Sequence, residues 1–317
     1  MSENPPIEYP FPEIRQWEKG EAPYIHVRES GRPGPTVMLA SLTHGNEVSG
    51  AIVVDALLSR GLTPRKGTLI FSFNNYEAYL RFDPKNPFKS RMIDEDFNRT
   101  WGRLDQPATT LETRRAQVVR PFVERADYLL DLHSMHDDCV PLMLCGPLDR
   151  GVTLARRLGA PADIVRDRGH AAGMRMRDYG AFGDPKSDKT ALLIETGQHW
   201  RASSVAVAKD VAHRFLTETG IVEASDLPDD WRQPAPQSQR IVQVTHAIAT
   251  KRGNFTPARR FEGQEVIAKA GTVLGHDDGE PVTTPYDDCV LVMPAVNRPL
   301  RAGVTVCLLY TSDAADE

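Results

Sequence analysis

Residues 36–60 read TVMLASLTHGNEVSGAIVVDALLSR, and the two halves of this stretch follow different periodicities. Residues 36–42 form a nearly unbroken apolar run, the pattern of a strand buried on both faces of a parallel sheet. Residues 48–60 repeat their apolar positions with helical spacing: Ile52, Val53, Ala56 and Leu57 share one face, and Gly61 follows as a stop signal. A strand leading through Thr-His-Gly-Asn-Glu into a helix opens a β-α unit. The same alternation continues outward, with strands expected at 24–28, 68–73, 128–132 and 191–194 and helices at 110–126 and 203–218. The expected fold class is therefore α/β, a largely parallel sheet flanked by helices.

The texture changes near residue 225. Residues 227–238 (LPDDWRQPAPQS) contain three prolines and read as a linker. Beyond them the apolar runs at 241–249, 265–268, 272–274 and 290–293 are short and punctuated by glycine, the mark of a small all-β unit. The expected organisation is a catalytic unit at 1–226, a linker at 227–239 and an all-β unit at 240–310. The end of the chain, YTSDAADE at 310–317, has no pattern, and 311–317 reads as a non-native tail.

Composition narrows the function classes. Of 317 residues, 38 are Lys or Arg and 43 are Asp or Glu, for a net charge of −5. There is no basic excess for nucleic acid and no charge block that reads as a tail. The longest apolar run, 139–148, holds ten residues and two prolines, short of the ~18 that a membrane span needs. The first twelve residues are acidic and proline-rich, unlike a signal peptide, so a cytoplasmic location is expected. Cys139, Cys145, Cys289 and Cys307 form no C-x-x-C pair and read as buried, inert thiols.

Hydrolytic zinc takes three protein ligands and keeps a position for water. His44 and Glu47 form a close H-x-x-E pair. With nine histidines in the chain, about half of one such match is expected by chance, and His26 with Glu29 is another. His26 lies in a strand-like run, where residues three apart point to opposite faces. His44 instead follows a central strand, with Gly45 allowing a sharp turn and Glu47 beginning a helix, at the strand end where open α/β sheets place ligands. His133, directly after the 128–132 run, is the third ligand candidate, with His136 as its rival and Asp131 placed to orient an imidazole. Glu195 ends another apolar strand, where an unpaired carboxylate is too costly to be casual, and is the candidate general base. The polar loop SRMIDEDFNRTWG supplies Arg91, Asp96, Asn98 and Arg99; the arginine fork and the amide suit a carboxylate.

The order H-G-N-E (44–47), D-x-N-R (96–99), D-L-H-S (131–134) and I-E-T-G (194–197) resembles the succinylglutamate desuccinylase/aspartoacylase family, within the zinc carboxypeptidase-like superfamily, over roughly residues 20–310. The resemblance implies that superfamily's mixed, mostly parallel sheet plus a C-terminal β domain. It implies one zinc ion per chain held by His44, Glu47 and His133, and Glu195 as the catalytic acid and base. It further implies Arg91 polarising the scissile carbonyl, Asn98 and Arg99 gripping a substrate carboxylate, and Asp96 orienting its neighbours. The activity implied is hydrolysis of an amide or ester in a small N-acyl amino acid, with a peptide-cleaving metallocarboxypeptidase as the alternative. A β domain that covers the cleft would exclude long peptides.

The implied partner is a small carboxylate-bearing molecule, with no nucleic acid and no membrane; association into a homo-oligomer is compatible with this reading. The residues that recognise the acyl chain or the amino-acid side chain in the named enzymes find no match here; the chain carries instead the segments GHAAGMRMRDYG (169–180) and GQHW (197–200). They offer His170, Arg175, Arg177, Tyr179 and His199 as pocket candidates. The C-terminal part resembles a lipoyl-type sandwich but has no M-K-M attachment sequence, so no carrier role is expected.

Overall fold

A computed structural model describes residues 5–169, 172–251, 254–294 and 305–311. The N-terminal part runs β1 (Ile25–Glu29), β2 (Thr36–Ser41), α1 (Ser49–Ser59), β3 (Thr68–Phe73), α2 (Tyr76–Leu80), α3 (Leu111–Arg125), β4 (Tyr128–Met135), β5 (Leu142–Leu144), α4 (Asp149–Leu158), β6 (Asp163–Arg166), β7 (Thr190–Gln198) and α5 (Ala202–Glu218). The C-terminal part adds β8 (Arg240–Ala249), β9 (Phe255–Pro257), β10 (Val266–Ile267), β11 (Val273–Asp277), β12 (Glu280–Thr283), β13 (Cys289–Val292) and β14 (Thr305–Thr311).

The apolar run at 36–42 becomes the strand that organises the molecule. Its alternate residues enter different cores: Val37 and Leu39 pack with α1 and α5, while Met38 and Ala40 pack with α3 and with Phe97 and Trp101. A strand buried on both faces needs apolar residues at every position, which is why the sequence does not alternate there. α3 is stopped at its start by Thr110, whose side chain takes the Thr113 amide in a capping box.

Eleven strands form one sheet in the order β1-β3-β2-β4-β7-β5-β6-β8-β14-β13-β10, and β12-β11-β9 form a small second sheet. β3, β2, β4 and β7 are parallel neighbours. β5 joins β7 antiparallel, and β6 and β8 continue parallel to β5. From β8 onward the pairing is antiparallel through β14, β13 and β10. The fold is thus mixed α/β with a mostly parallel central sheet, flanking helices and antiparallel strands at the C-terminal end.

β8 carries hydrogen bonds to β6 on one side and β14 on the other. The region between residues 227 and 239 contributes short turns, and its Trp231 is buried in the main core. β14 extends to Thr311, one residue into the stretch expected as a tail; 312–317 lie outside the described residues. No helix among the described residues is long and apolar enough to cross a membrane.

Candidate active site

The site forms beyond the end of β2. The chain leaves that strand through Leu42, in the left-handed region at φ +53°, a conformation that costs a branched residue and persists where its surroundings enforce it. The amides of Asn74 and Asn75, past the end of β3, bond back to Ser41 and Leu42 and provide that enforcement. Gly45 lies in the tight turn the sequence suggested, closed by the Glu47 amide on the His44 carbonyl at 3.1 Å, and it is also needed for close approach. A Cβ there would stand 2.5 Å from the Ser90 carbonyl oxygen and 2.6 Å from Ala78. The Gly45 amide also donates to the Arg91 carbonyl at 2.9 Å, joining this loop to the one that carries Arg91.

His44, Glu47 and His133 are all buried, and one donor atom from each lies within 4.8 Å of the others. His44 Nδ1 is 2.7 Å from Glu47 Oε1, and His133 Nδ1 is 2.8 Å from Glu47 Oε2. On their far sides, His44 Nε2 is 2.9 Å from Asp96 Oδ1 and His133 Nε2 is 2.8 Å from Asp131 Oδ2, the latter outside hydrogen-bond alignment. Each imidazole therefore faces carboxylate oxygens with both nitrogens. A neutral ring carries one N–H, so a second proton or a cation must resolve the other contact. Burial works against a charged His133, but Asp131 and Glu47 outweigh it and hold the imidazole well above its usual range. Burial likewise opposes ionisation of Glu47, and the two imidazoles overcome it, holding that carboxyl well below the ordinary range. The donor set of two imidazoles and a carboxylate, each imidazole backed by an acid, fits the ligand preferences of a zinc ion.

Asp131 is braced in turn. Thr43 donates to its Oδ1 at 2.7 Å, and Asn74 donates to Thr43 at 3.0 Å. Asp96 accepts the Asn98 amide at 2.9 Å and an Arg91 Nη2 donor at 3.1 Å. Burial would raise its carboxyl, but His44 and Arg91 hold it far below the usual carboxylate range. Arg91 also donates to Glu47 at 3.0 Å, and its Nη2 stands 2.8 Å from His44 Nε2.

Parallel pairing sets Glu195 beside His133, since the two are register partners in β7 and β4. Its Oε2 is shut off from water and has no hydrogen-bond partner. Burial, followed by the charge of Glu47, pushes its carboxyl up to about 8. Asn98 is buried, and its Oδ1 accepts the Met176 amide at 2.8 Å, which leaves its NH2 as the free donor. Arg99 spends Nη1 on the Asn98 carbonyl at 2.8 Å.

His44, Glu47, Arg91, Asn98, Arg99, His133 and Glu195 all line a single cleft. Its walls are completed by residues including Ser134, His136, Leu144, Asp167, Arg175, Leu193, Met293 and Pro294. His136 stands outside the three-residue cluster and meets Phe88 edge-on. His26 is buried against Trp17, bonded to its carbonyl at 2.9 Å, away from the cleft.

Of the pocket candidates, Arg175 lines the cleft and His170 lies outside the described residues. The other three do not line it. Arg177 is buried and bonds the Cys145 and Ala191 carbonyls. Tyr179 faces Glu124 and Trp101. His199 is buried behind the cleft against Ser134 Oγ at 2.8 Å, and burial holds its imidazole well below the usual range. The thiols of Cys145 and Cys289 are free and buried as expected, whereas Cys139 is only half-buried, on the cleft wall.

Two acids escaped the sequence reading. Glu112, fully buried at the start of α3, accepts the amides of Ile93, Asp94 and Glu95 at 2.7, 3.1 and 3.3 Å and so holds the loop between Arg91 and Asn98. Its signal, an acid three residues from the start of an amphipathic pattern, reads as ordinary helix-terminus charge. Asp167 follows β6, a strand too short to mark its end as a strand end.

A search of curated protein sequences finds no match. Among solved structures, an ectoine utilization protein from Ruegeria pomeroyi superposes with TM-score 0.63 at 18% identity, over 91% of this chain and 88% of that one. A succinylglutamate desuccinylase/aspartoacylase from Rhodobacter sphaeroides gives 0.62 at 19% identity, over 90% and 88%. A succinylglutamate desuccinylase from Vibrio parahaemolyticus gives 0.65 at 16% identity, over 88% and 82%. At these identities the likeness is one of fold, which many functions share. The sequence profile of the succinylglutamate desuccinylase/aspartoacylase catalytic domain, however, matches residues 33–216, and the chain belongs to that family of deacylases.

Proposed function

We propose that the protein is a zinc-dependent hydrolase that removes the acyl group from a small N-acyl amino acid. The observation that carries this reading is the convergence of His44, Glu47 and His133 beside an unpaired Glu195 in one cleft. Bound by those three residues, zinc would supply a Lewis acid that polarises a carbonyl and acidifies water.

The chain's own groups do the rest. Glu195 takes a proton from the attacking water and returns it to the leaving nitrogen as the C–N bond breaks, so water is added across the amide. Burial and the charge of Glu47 raise its affinity for protons, which favours the half of the task in which it delivers one to the leaving nitrogen. Arg91 turns a donor from Glu47 or Asp96 toward the developing oxyanion. The free NH2 of Asn98 and the remaining donors of Arg99 hold the substrate carboxylate, so that the carbonyl arrives aligned.

Met293 and Pro294, from the C-terminal part, stand in the cleft wall and favour small substrates over long peptides. The test is a panel of acetyl- and succinyl-amino acids against peptides, with zinc content measured before and after chelation. Glu195→Gln is expected to keep its metal and lose about 10²–10⁴-fold in kcat. Undiminished turnover would remove Glu195 from the mechanism, and zinc content unchanged in His44→Ala would remove that ligand.

A further inference from the structure

We propose that Asp167 is a specificity residue whose free carboxylate oxygen receives an N–H or O–H donor from the side chain of the amino-acid half of the substrate. This rests on the N-acyl amino acid reading and narrows it.

Asp167 is only 3% exposed, yet it lines the cleft. Its Oδ2 lies 2.8 Å from Arg175 Nη2, and Arg175 Nε donates to Asp178 Oδ2 at 2.6 Å. Its Oδ1 is buried and has no hydrogen-bond partner. Leaving such an acceptor unpaired is costly, and native structures rarely do so without a functional reason. The nearest donor among the described residues, Arg175 Nη2, faces Oδ2 and is itself outside hydrogen-bond alignment, so it leaves Oδ1 unmet, while Leu144 and Leu193, partners in register across β5 and β7, form an apolar floor. A ligand in the cleft is the group placed to satisfy it.

The backbone fixes which half of the substrate reaches it. Residues 98–100 and 174–176 run side by side, joined by a bridge between Thr100 and Met174 and by the bond from the Met176 amide to Asn98 Oδ1. Arg175 and its partner Asp167 therefore stand on the side of Arg99, the proposed carboxylate anchor. In an N-acyl amino acid held by its carboxylate, the atoms on that side belong to the amino-acid side chain. Arg175 and Arg177 balance Asp167 and Asp178 in charge. The same acceptor therefore suits an ammonium, an amide or a hydroxyl.

The experiment compares kcat/KM of the zinc-loaded enzyme on Nα-acetylornithine, Nα-acetylglutamine and Nα-acetylnorvaline. These match in chain length and carry an ammonium, an amide and no donor. The expected result is a preference of at least about tenfold for one or both donor-bearing substrates, because the third leaves the buried acceptor unpaired. In Asp167→Asn, Arg175 holds the amide oxygen and turns the NH2 toward the cleft, so the acceptor becomes a donor and the preference ratio collapses. Equal wild-type rates, or a ratio that survives in folded, metal-loaded Asp167→Asn, would overturn the proposal. Should that variant not fold, product inhibition of the wild type by ornithine, glutamine and norvaline supplies the comparison: tighter inhibition by a donor-bearing product supports the proposal, and equal inhibition overturns it. Hydrolysis of no N-acyl amino acid at all would sink the parent reading, whereas hydrolysis without preference sinks this one alone.

Discussion

Glu195 is raised because burial and the neighbouring Glu47 both oppose its charge, to about 8 against 4.5 for an ordinary glutamate. The sign of the consequence follows from proton counting. Between about 4.5 and about 8 the folded, metal-free protein binds the extra proton and the unfolded chain does not, so stability falls as pH rises through that window. The urea midpoint of chelator-treated protein is expected to decline across it, and less steeply in Glu195→Gln; identical slopes would mean that this carboxyl titrates normally. Asp131 gives a second residue-scale test. It stands behind His133 and is itself braced by Thr43, so Asp131→Asn should weaken zinc binding by about 10–100-fold, read by competition with a chelator. His44, Glu47, His133 and Glu195 were legible because each interrupts or follows an apolar run, where a polar residue needs a reason. Glu112 and Asp167 were not, because each sits among polar neighbours and its partners come from loops distant in sequence.

The same interruptions blurred the elements. β4 and β7 run on to Met135 and Gln198, past the ends expected at 132 and 194. The residues that break their apolar pattern include three that line the cleft, His133 and Ser134 in one and Glu195 in the other. Local patterning fails where polar side chains are turned into the cleft. β5 and β6 were missed for another reason. At three and four residues they are too short to establish a period, and they exist because β7 and β8 flank them. The loop bearing Arg91 and Arg99 depends on a helix start, since Glu112 collects its amides. Glu112→Ala leaves those buried donors unpaired and should cost roughly 3 kcal/mol in denaturant unfolding. In whatever protein remains folded, KM should rise, since Asn98 and Arg99 lose their support; a KM equal to the wild type would mean the loop is held by other means. Gly45→Ala forces the β2–α1 loop away from Ala78 and Ser90. A loss of about 1–3 kcal/mol with reduced zinc content is expected, and a neutral effect on both would show that those neighbours yield.

At the scale of the molecule, the change of texture near residue 225 marks a change of strand connectivity within one continuous sheet. β8 is hydrogen-bonded to β6 as a parallel neighbour and to β14 as an antiparallel one. One apolar cluster draws Leu142, Leu144, Val165 and Leu193 from before the linker and Val242, Val290 and Val292 from after it. Two of these, Leu144 and Leu193, are also floor residues of the cleft. Ending the chain at residue 239 would strip β6 of its neighbour, leave an open strand edge that invites association, and uncover that apolar floor to water. The fragment 1–239 is therefore expected to aggregate or to lose cooperative unfolding. A nick within 227–239 in the intact protein should leave the two pieces together on size exclusion, because their shared strand pairing and core do not depend on the linker's continuity. A soluble, zinc-binding 1–239 fragment that unfolds in a single transition would show instead that the catalytic layer closes on itself, and that β8 merely leans on a sheet already complete without it.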